Sequence, residues 1–552
     1  MIEASLAARV LDALLREDFG GLRRFIAYDA PLPPGSAPRP GGIRSPLQPS
    51  GFLSKPAVRP GLGLDEVLAL VRQVADPRDD VTAFEQECRQ ALATERLHVS
   101  VHSRVLDHLG TLRRGDRSAD LGSRTFYDTL AAYTDHPVHP AGRCRLGLSE
   151  EDLRRYAPEF HPVFSLRWAA VPRGHVTSAG KRPPWWPSPE DVGLSRDPFY
   201  DLFPLHPLTA RDLWAMPERR GLDVMPEARR EALPAGTVLA PEPYLEVRPT
   251  LSMRTVCVVA DPSTHLKVPL PTSTLGLRNR RTIVPRTLGD GALVQRTLGR
   301  LLDREPELPV LLADEQTYGH AGDPHLGYLV RRFPAETADA RVVPVAALLA
   351  PAPGGRWVVE ELTTDVEKFF NDYLRALFTW NVTLFVRYGI VLEAHQQNVS
   401  VVLRPGSLEL LVKDNDSPLV DRERMTAALG PGAAFQPADD RLLTTDPEAL
   451  SKVFVTITLH LCAGAIAFGL SERELLPLTT GLGLIRDRLD EALGAFGSKS
   501  AFLRERTLDA ETLPVKAMLT AGTLVDKTRT GAADINKHYG PPGHNYLRGN
   551  AQ

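Results

Sequence analysis

Residues 393–416 read EAHQQNVSVVLRPGSLELLVKDND, and this stretch decides the fold class. Two apolar runs flank the turn RPGS, which predicts a β-hairpin. Helical patterns of apolar residues precede and follow it, at residues 366–389 and 446–496. A hairpin set between long helices is typical of an α+β fold rather than an all-helical one.

The two ends of this predicted hairpin carry polar side chains. Glu393, His395, Gln397 and Asn398 stand before the first strand, and Asp414 follows the second. Because the two strands pair, the hairpin brings Asn398 and Asp414 together. Carboxylate and amide oxygens are the ligands that Mg²⁺–nucleotide complexes use. A solvated polar turn is the alternative, and it does not explain so many functional side chains between apolar runs.

The chain before the hairpin falls into two further parts. Residues 62–133 have apolar positions at spacings of three and four, which predicts helices, and the N-terminal 21 residues read as another amphipathic helix. Residues 134–335 change to short β-like runs between proline-rich turns, which predicts an antiparallel sheet. The runs are VFSLRWAAV, YLEVRPTLSMRTVCVVA, HLKVPL and LGYLVRRF.

Two His-Pro pairs stand at the start of the β-rich part. His136 and His139 each precede a proline, and Arg143 and Arg145 follow closely. Proline fixes its own φ and restricts the residue before it, so both imidazoles lie on a stiff, extended backbone. Two imidazoles and two guanidinium groups within ten residues favour contact with an anion. Solvated loop residues remain the alternative for each of them.

Two later stretches combine hydroxyl and basic groups. In PTLSMRT, strand alternation would place Thr250, Ser252 and Arg254 on one face, where they could bind phosphate oxygens. In HLKVPLPTSTLGLRNRRTI, Lys267 lies in a β run, a placement that suits a polyphosphate ligand. A solvent-facing strand and a solvated basic loop are the alternatives. The loop after Lys267 contains Thr272, Ser273, Thr274, Arg278, Arg280 and Arg281.

Composition excludes several classes of protein. The 65 basic and 68 acidic residues leave a formal charge of −3, so no global field favours nucleic acid or an anionic membrane. The four cysteines are too scattered for a zinc or iron–sulfur site, and a reducing cytoplasm fits them best.

The N-terminus lacks the basic and apolar regions of a signal peptide. Residues 453–470 carry no formal charge, but His460 and two glycines favour a buried core helix over a membrane span.

Taken in order, these motifs resemble the IucA/IucC family of siderophore synthetases, which act independently of non-ribosomal peptide synthetases. The resemblance covers roughly residues 130–420 through its motifs. Arg143 stands where the family commonly has lysine, Lys413 replaces an arginine, and His206-Pro207-Leu208-Thr209 replaces His-Pro-Trp-Gln. The matching positions are His136, His139, Arg143, Arg145, Thr250, Ser252, Arg254, Thr255, Lys267, Thr274, Arg278, Glu393, His395, Gln397, Asn398, Lys413 and Asp414.

The resemblance implies a cupped-hand α+β fold. Its parts are an N-terminal helical thumb (1–133), β-rich fingers that bind ATP and the carboxylate (134–335), and a mostly helical palm with a kinase-like ATP site (336–552). It also implies an ATP-dependent acid–amine or acid–alcohol ligase. A carboxylate, most often of citrate or a citryl derivative, is adenylated, and an amine, hydroxylamine or alcohol then displaces AMP. Adenylation splits one hard substitution into two easier ones.

The resemblance further assigns roles to residues. On this assignment, Arg278→Ala should abolish adenylation while leaving the protein folded. ATP is bound by Ser252, Arg254, Thr255, Lys267, Gln397, Asn398 and Asp414. Mg²⁺ is bound by Glu393, Asn398 and Asp414. The carboxylate substrate is bound by Thr274, Arg278, His395 and Arg145. Catalysis involves His136, His139, Arg278 and His395.

Two other functions stay open. A kinase-like phosphotransferase also has a histidine, an asparagine and a later aspartate, but Gln396 and Gln397 stand where its catalytic base would be. A non-catalytic carboxylate-binding protein would not need the Mg²⁺ set. Some relatives carry an iron-reductase-like segment with clustered cysteines, which Cys462 alone cannot supply.

The expected partners are small molecules. They are a citrate-like carboxylate and an amine or amino acid that the sequence does not identify, with no nucleic acid or membrane, in the cytoplasm. Members of the family are often dimers, so a homodimer is left open.

Overall fold

The computed structural model describes residues 1–24, 47–48, 52–53, 57–58, 61–115, 124–214, 233–415, 417–430, 432, 435–530 and 537–548. Asp416, the last residue of the predicted hairpin stretch, lies outside the described residues. The helices before residue 303 are Ile2–Glu17 (α1), Leu64–Val74 (α2), Val81–Gly115 (α3), Arg124–Ala131 (α4), Glu150–Tyr156 (α5), Pro207–Leu213 (α6) and Pro285–Leu302 (α7). The later helices are Val358–Leu362 (α8), Val366–Thr383 (α9), Arg422–Leu429 (α10), Pro447–Val453 (α11), Ala465–Glu472 (α12), Leu478–Gly494 (α13), Ala501–Glu505 (α14) and Lys527–Thr530 (α15).

Strands dominate the middle of the chain. The first strands are Leu47–Gln48 (β1), Ala57–Val58 (β2), Phe164–Pro172 (β3), Thr177–Ala179 (β4), Tyr200–Leu205 (β5), Val238–Leu239 (β6), Tyr244–Pro249 (β7), Thr255–Val258 (β8), Asp261–Lys267 (β9) and Val310–Leu312 (β10). The rest are Asp314–His320 (β11), Gly327–Arg332 (β12), Arg341–Pro344 (β13), Ile390–Val391 (β14), Val399–Arg404 (β15), Ser407–Val412 (β16), Leu419–Val420 (β17), Thr512–Leu513 (β18) and Gly543–His544 (β19).

The N-terminal part is helical, in agreement with the sequence pattern. Leu6, Val10 and Leu14 recur every four residues on one face of α1 and are fully buried. They join a hydrophobic cluster with Val67 of α2 and Phe84 of α3. This cluster fixes α3, whose inner face carries buried polar residues toward the rest of the molecule.

The predicted antiparallel sheet is present. Its strands lie in the order β4-β11-β12-β9-β8-β7-β3-β5, with β6 paired to β3, and every recorded pairing is antiparallel. The same stretch of chain also contains α7, an 18-residue helix that the sequence reading did not predict. Leu288, Ala292 and Leu298 are buried on its inner face, so tertiary packing stabilises it.

A second sheet holds the predicted hairpin. β15 and β16 pair antiparallel from Val399 opposite Val412 to Arg404 opposite Ser407, which confirms the hairpin. The strand order is β10-β16-β15-β13, and β10 runs parallel to β16. Because β10 precedes residue 335 but joins this sheet, the two predicted parts are joined by strand pairing; their boundary stays a prediction.

The apolar stretch at 453–470 is a core helix, as expected. Residues Pro447–Glu472 form one helix that is long and apolar enough to cross a membrane, but 89% of its most apolar window is buried inside the molecule. Its middle, Phe454–Gly464, has π-helical hydrogen bonding. His460 lies 3.0 Å from both the Tyr546 hydroxyl and the Pro514 carbonyl, which satisfies its ring nitrogens within the core.

Candidate active site

One cavity gathers most of the predicted site residues. Its volume is about 390 Å³, and its wall is formed by the large sheet, the residues just before and after the β15–β16 hairpin, the end of α4, the start of α7, Lys516 and Met518. The predicted residues in the wall are His136, Arg145, Ser252, Arg254, Lys267, Thr274, Glu393, His395, Gln397, Asn398 and Asp414. The predicted residues outside it are His139, Thr255 and Arg278.

The PTLSMRT stretch enters the cavity as a turn. The sequence analysis placed Thr250, Ser252 and Arg254 on one face of a strand, and this was wrong, since β7 ends at residue 249 and β8 begins at residue 255. Met253 takes a left-handed φ of 63°, which breaks the alternation. The Ser252 hydroxyl accepts the Thr255 amide at 3.0 Å. Thr255 therefore shapes this turn through its backbone.

Lys267 and Asp414 form the centre of a buried charge network. Lys267 ends β9 as predicted, and its Nζ lies 2.5 Å from Asp414 Oδ1. Arg331 of β12 lies 3.2 Å from the same oxygen and 2.5 Å from Glu315. Glu315 also accepts the backbone amide of Asp414 at 2.8 Å, which holds that residue at a φ of 65°. Burial raises the pKa of Asp414, but Lys267, Arg331 and Arg254 lower it further, so it stays ionised.

The hairpin brings its two motif ends together as the sequence predicted. The Lys413 amide donates to the Asn398 carbonyl at 3.1 Å, next to the pairing of Val399 with Val412. Lys413 itself is buried and does not line the cavity. Burial lowers the pKa of Lys413, and the nearby Asp128 carboxyl opposes that shift. Lys413 is thus a buried residue next to Asp414 and not part of the cavity wall.

His136 and His395 face the cavity as neutral imidazoles. His136 Nδ1 accepts the His139 amide at 3.0 Å, and His395 Nδ1 accepts the Gln397 amide at 3.3 Å. Burial, aided by Lys516, lowers the pKa of His395 to about 4, and burial with His139 and His395 lowers that of His136 well below its usual range. With Nδ1 accepting, each neutral ring carries its proton on Nε2, which makes it an uncharged donor.

The loop after β9 presents Arg281 rather than Arg278. Arg281 Nε donates to the Thr274 hydroxyl in the cavity wall, and Arg254 Nη1 donates to the Thr282 carbonyl at 2.7 Å. Burial and the neighbouring Arg254 and Arg145 lower the pKa of Arg281 to about 9. Arg278 points the other way, and its Nη1 donates to the Ala521 carbonyl at 3.0 Å. The assigned role of Arg278 at the carboxylate stays a prediction.

Of the two neighbouring histidines His136 and His139, only His136 lines the cavity. His139 is 1% exposed and lies behind the cavity wall, 3.8 Å from Glu87 Oε1. Burial lowers its pKa to about 3.

His206 also lies outside the cavity wall: its Nδ1 accepts the Leu208 amide at 3.1 Å and caps α6. The departure from His-Pro-Trp-Gln, at Leu208 and Thr209, therefore lies in the first turn of α6.

Lys516 was missed by the sequence reading. It lines the cavity, is 7% exposed, and its Nζ lies 3.3 Å from Glu393 Oε1. The lysine follows the two-residue strand β18 in a stretch with no recognisable motif, so no local signal pointed to it. Together with His136 and His395 it places three nitrogen donors in the cavity wall.

The oxygen donors fit a magnesium ion in part. Glu393, Asn398 and Asp414 all line the cavity and offer the hard oxygen ligands that Mg²⁺ prefers. The described residues contain no group of three or more His, Cys, Asp or Glu side chains that could hold a metal alone. Mg²⁺ commonly takes one or two carboxylates and completes its shell with phosphate and water oxygens. The residues present fit that mode of binding.

Comparison with known proteins agrees with this geometry. A family model described as IucA / IucC family matches residues 125–350, which include the His-Pro pairs, the 250–255 turn, Lys267 and the arginine loop. This part of the chain is therefore similar to the IucA/IucC family. A second model, described as Ferric iron reductase FhuF-like transporter, matches residues 367–533. That stretch contains only one cysteine, Cys462, which is buried, so it has no cysteine cluster.

Curated proteins similar to this chain include a staphyloferrin synthase and a citrate ligase. Staphyloferrin B synthase of Staphylococcus aureus is 26% identical over 404 residues, covering 65% of this chain and 67% of that protein. The L-2,3-diaminopropanoate–citrate ligase of the same organism is 24% identical over 371 residues, covering 62% of this chain and 61% of that protein. The chain thus aligns with about two thirds of the length of these relatives.

Solved structures share the fold. The petrobactin biosynthesis protein AsbB of Bacillus anthracis matches with a TM-score of 0.72 at 15% identity, over 99% of this chain and 96% of that one. ATP-bound aerobactin synthetase IucA of Klebsiella pneumoniae matches with a TM-score of 0.64 at 16% identity, over 90% of each chain. The cupped-hand α+β fold of these synthetases is therefore the fold of this chain.

Proposed function

We propose that this chain is a siderophore synthetase that activates a carboxylate of citrate or a related acid with ATP and joins it to an amine. The products are an amide, AMP and pyrophosphate. The observation that carries the proposal is the union of two half-sites in one cavity. Ser252, Arg254 and Lys267 come from the large sheet, and Asn398 and Asp414 come from the hairpin.

The charges in the cavity wall suit two polyanions. Among the described residues, no carboxylate forms a salt bridge with Arg254 or Arg281, although Asp414 lies near enough to interact with both, and Arg145, Lys267 and Lys516 add further basic groups. Cations and neutral imidazole donors would bind ATP phosphates and a polycarboxylate close together. The citrate ligase among the relatives and the ATP-bound structural neighbour support these substrate classes.

In the first half-reaction, an oxygen of the substrate carboxylate bonds to the α-phosphorus of ATP, and the bond to the leaving pyrophosphate breaks. Arg254 and Lys267 bind the phosphates, while Thr274, Arg281 and Lys516 hold the carboxylate. The Nε2 protons of His136 and His395 stabilise negative charge on the reacting oxygens without adding a charge of their own. Catalysis of this kind rests on positioning and charge neutralisation.

In the second half-reaction, the amine nitrogen bonds to the acyl carbon, the carbon–oxygen bond to AMP breaks, and the nitrogen releases a proton to solvent. Glu393, Asn398 and Asp414 would hold Mg²⁺, which supplies charge neutralisation at the phosphate oxygens when bound. A cytoplasmic location and a homodimer stay predictions.

The test is product analysis. Purified protein is incubated with Mg²⁺, ATP and citrate, with and without a panel of amines and amino acids, and AMP, ADP and pyrophosphate are measured separately. Amine-stimulated AMP and pyrophosphate support the proposal. Formation of ADP would indicate a phosphotransferase, and citrate binding without nucleotide turnover would indicate a binding protein.

Matched lysine variants complete the test. Lys267→Ala should abolish pyrophosphate release, because it removes a cation from the wall. Lys368→Ala is the control, since Lys368 is 71% exposed on α9 and pairs only with Asp372 among the described residues. Equal activity in both variants would contradict the assignment of the cavity.

A further inference from the structure

Glu87 of α3 is a buried carboxylate outside the cavity wall. It is 1% exposed, and its Oε2 accepts the Thr523 hydroxyl at 2.7 Å. The same hydroxyl accepts the Leu277 amide at 2.9 Å. Through one side chain, Glu87 therefore reaches two segments that are far apart in sequence: the loop 274–281 and the π-helical segment Thr520–Leu524.

These two segments touch each other directly. The Arg278 amide donates to the Gly522 carbonyl at 3.1 Å, and Arg278 Nη1 donates to the Ala521 carbonyl at 3.0 Å. A Cβ at Gly276 would lie 2.6 Å from the Gly522 Cα, and Gly276 has a φ of 108°. The close approach of the two backbones therefore requires glycine at position 276.

Both segments continue into the cavity wall. The loop carries Thr274 and Arg281, and the chain before the π-helical segment carries Lys516. Glu17 of α1 fixes the second segment as well, accepting the Leu519 amide at 3.0 Å and the Thr520 amide at 2.8 Å. Two buried glutamates from the N-terminal helices thus hold the backbone behind the cationic part of the cavity.

The surroundings of Glu87 are unusual for a merely structural carboxylate. Glu87 Oε1 and both ring nitrogens of His139 have no hydrogen-bond partner among the described residues, although Oε1 and His139 Nε2 lie 3.8 Å apart. A buried polar atom without a partner costs free energy. The unpartnered atoms of Glu87 and His139 lie where the N-terminal helices, the loop 274–281 and the segment Thr520–Leu524 meet.

We propose that Glu87 is a positioning residue for the carboxylate site: it sets the spacing between the loop that carries Thr274 and Arg281 and the segment that carries Lys516. The inference rests on the proposed function for its kinetic consequence. Residues assigned to ATP, such as Ser252 and Lys267, lie on other elements, in the 250–255 turn and at the end of β9. Loss of Glu87 should therefore weaken carboxylate binding selectively.

The variants follow from the hydrogen bonds. Glu87→Ala removes the acceptor and leaves Thr523 and the loop without an anchor. Glu87→Gln keeps an acceptor oxygen of the same reach for the Thr523 hydroxyl, so it should rescue. Thr523→Val removes the hydroxyl that links the two segments and serves as a second test if Glu87→Ala fails to fold. Glu95→Ala is the control, because Glu95 is on the same helix, is 7% exposed at its side chain and pairs with Arg9 at 2.6 Å.

Two measurements are made on each full-length variant. The first is ATP–pyrophosphate exchange with citrate, which gives a KM for citrate and a KM for ATP. We expect Glu87→Ala to raise the KM for citrate about tenfold and the KM for ATP less than about threefold, with Glu87→Gln and Glu95→Ala near wild type. The second is hydrogen exchange of residues 274–281 and 516–524, which should increase in Glu87→Ala and Thr523→Val only.

The outcomes separate the two proposals. If the wild type exchanges no pyrophosphate with any carboxylic acid, the proposed function fails, and hydrogen exchange alone decides the role of Glu87. Unchanged hydrogen exchange of residues 274–281 and 516–524 in Glu87→Ala would overturn the inference. So would an equal rise in both KM values, or a folded Glu87→Gln that is as impaired as Glu87→Ala.

Discussion

Lys267 Nζ lies 2.5 Å from Asp414 Oδ1, although the two residues are 147 positions apart. The contact joins β9 of the large sheet to the turn that follows β16. Arg331 reaches the same carboxylate at 3.2 Å, so one anion serves two cations. The ion pair therefore holds the large sheet against the hairpin, and it places two charged side chains in the cavity wall.

Removing Asp414 should cost more stability than removing Lys267. Asp414→Ala takes away the carboxylate that two buried cations share, and we expect it to lower the free energy of unfolding by about 3–5 kcal/mol. Lys267→Ala leaves Asp414 paired with Arg331 and should cost less. Urea unfolding of both variants measures the difference. A larger loss for Lys267→Ala would show that Arg331 does not compensate.

Arg281 and Arg278 offer a direct comparison. The geometry places Arg281 in the cavity wall, so Arg281→Ala should lower kcat/KM for the carboxylate about 100-fold, the loss of a charge-assisted contact. Arg278→Ala should act more weakly, through the Ala521 contact. ATP–pyrophosphate exchange measures both. If Arg278→Ala abolishes exchange and Arg281→Ala does not, the assignment implied by the family resemblance is the right one.

Magnesium dependence tests the oxygen donors. Glu393→Gln removes one carboxylate of the proposed set, and we expect the Mg²⁺ concentration for half-maximal activity to rise about tenfold. Asp135→Asn is the control, because Asp135 also lines the cavity but pairs with Arg9 and Arg143 at 3.0 Å. Titration of activity with Mg²⁺ distinguishes them. Equal shifts in both variants would indicate a general charge effect.

Acid should destabilise the protein through its buried histidines. Burial lowers the pKa of His206 to about 3, below the value of 6.5 expected when unfolded. A depressed pKa contributes stability above pH 6.5 that is lost as the pH falls, here by about 2 kcal/mol between pH 6.5 and 5. His206→Asn keeps an acceptor for the α6 cap and should reduce the pH dependence of the unfolding free energy, to which the other buried histidines still contribute. An unchanged slope would mean that His206 is already charged in the folded state.

The sequence predicted the elements that depend on local pattern. Apolar spacing identified α1 and the hairpin, because each buries a face whose period is visible in the chain. The uncharged run at 453–470 identified the buried core helix. The sequence reading missed α7, whose glycines and charged residues weaken the helical pattern and whose stability comes from packing. It also misread the 250–255 turn, where the left-handed φ of Met253 breaks the alternation of a strand.

The residue types of the candidate site were determined by the sequence alone: hydroxyl groups, arginines, a lysine, two histidines and an oxygen-donor set in a fixed order. Which of them face the cavity was decided by the tertiary structure. Arg281 enters in place of Arg278 because Leu275 and Gly276 turn the loop with φ of 57° and 108°. Lys516 joins from a distant segment without a motif, held by buried glutamates whose partners are hundreds of residues away. Such contacts depend on packing between elements, and no local period in the chain encodes them.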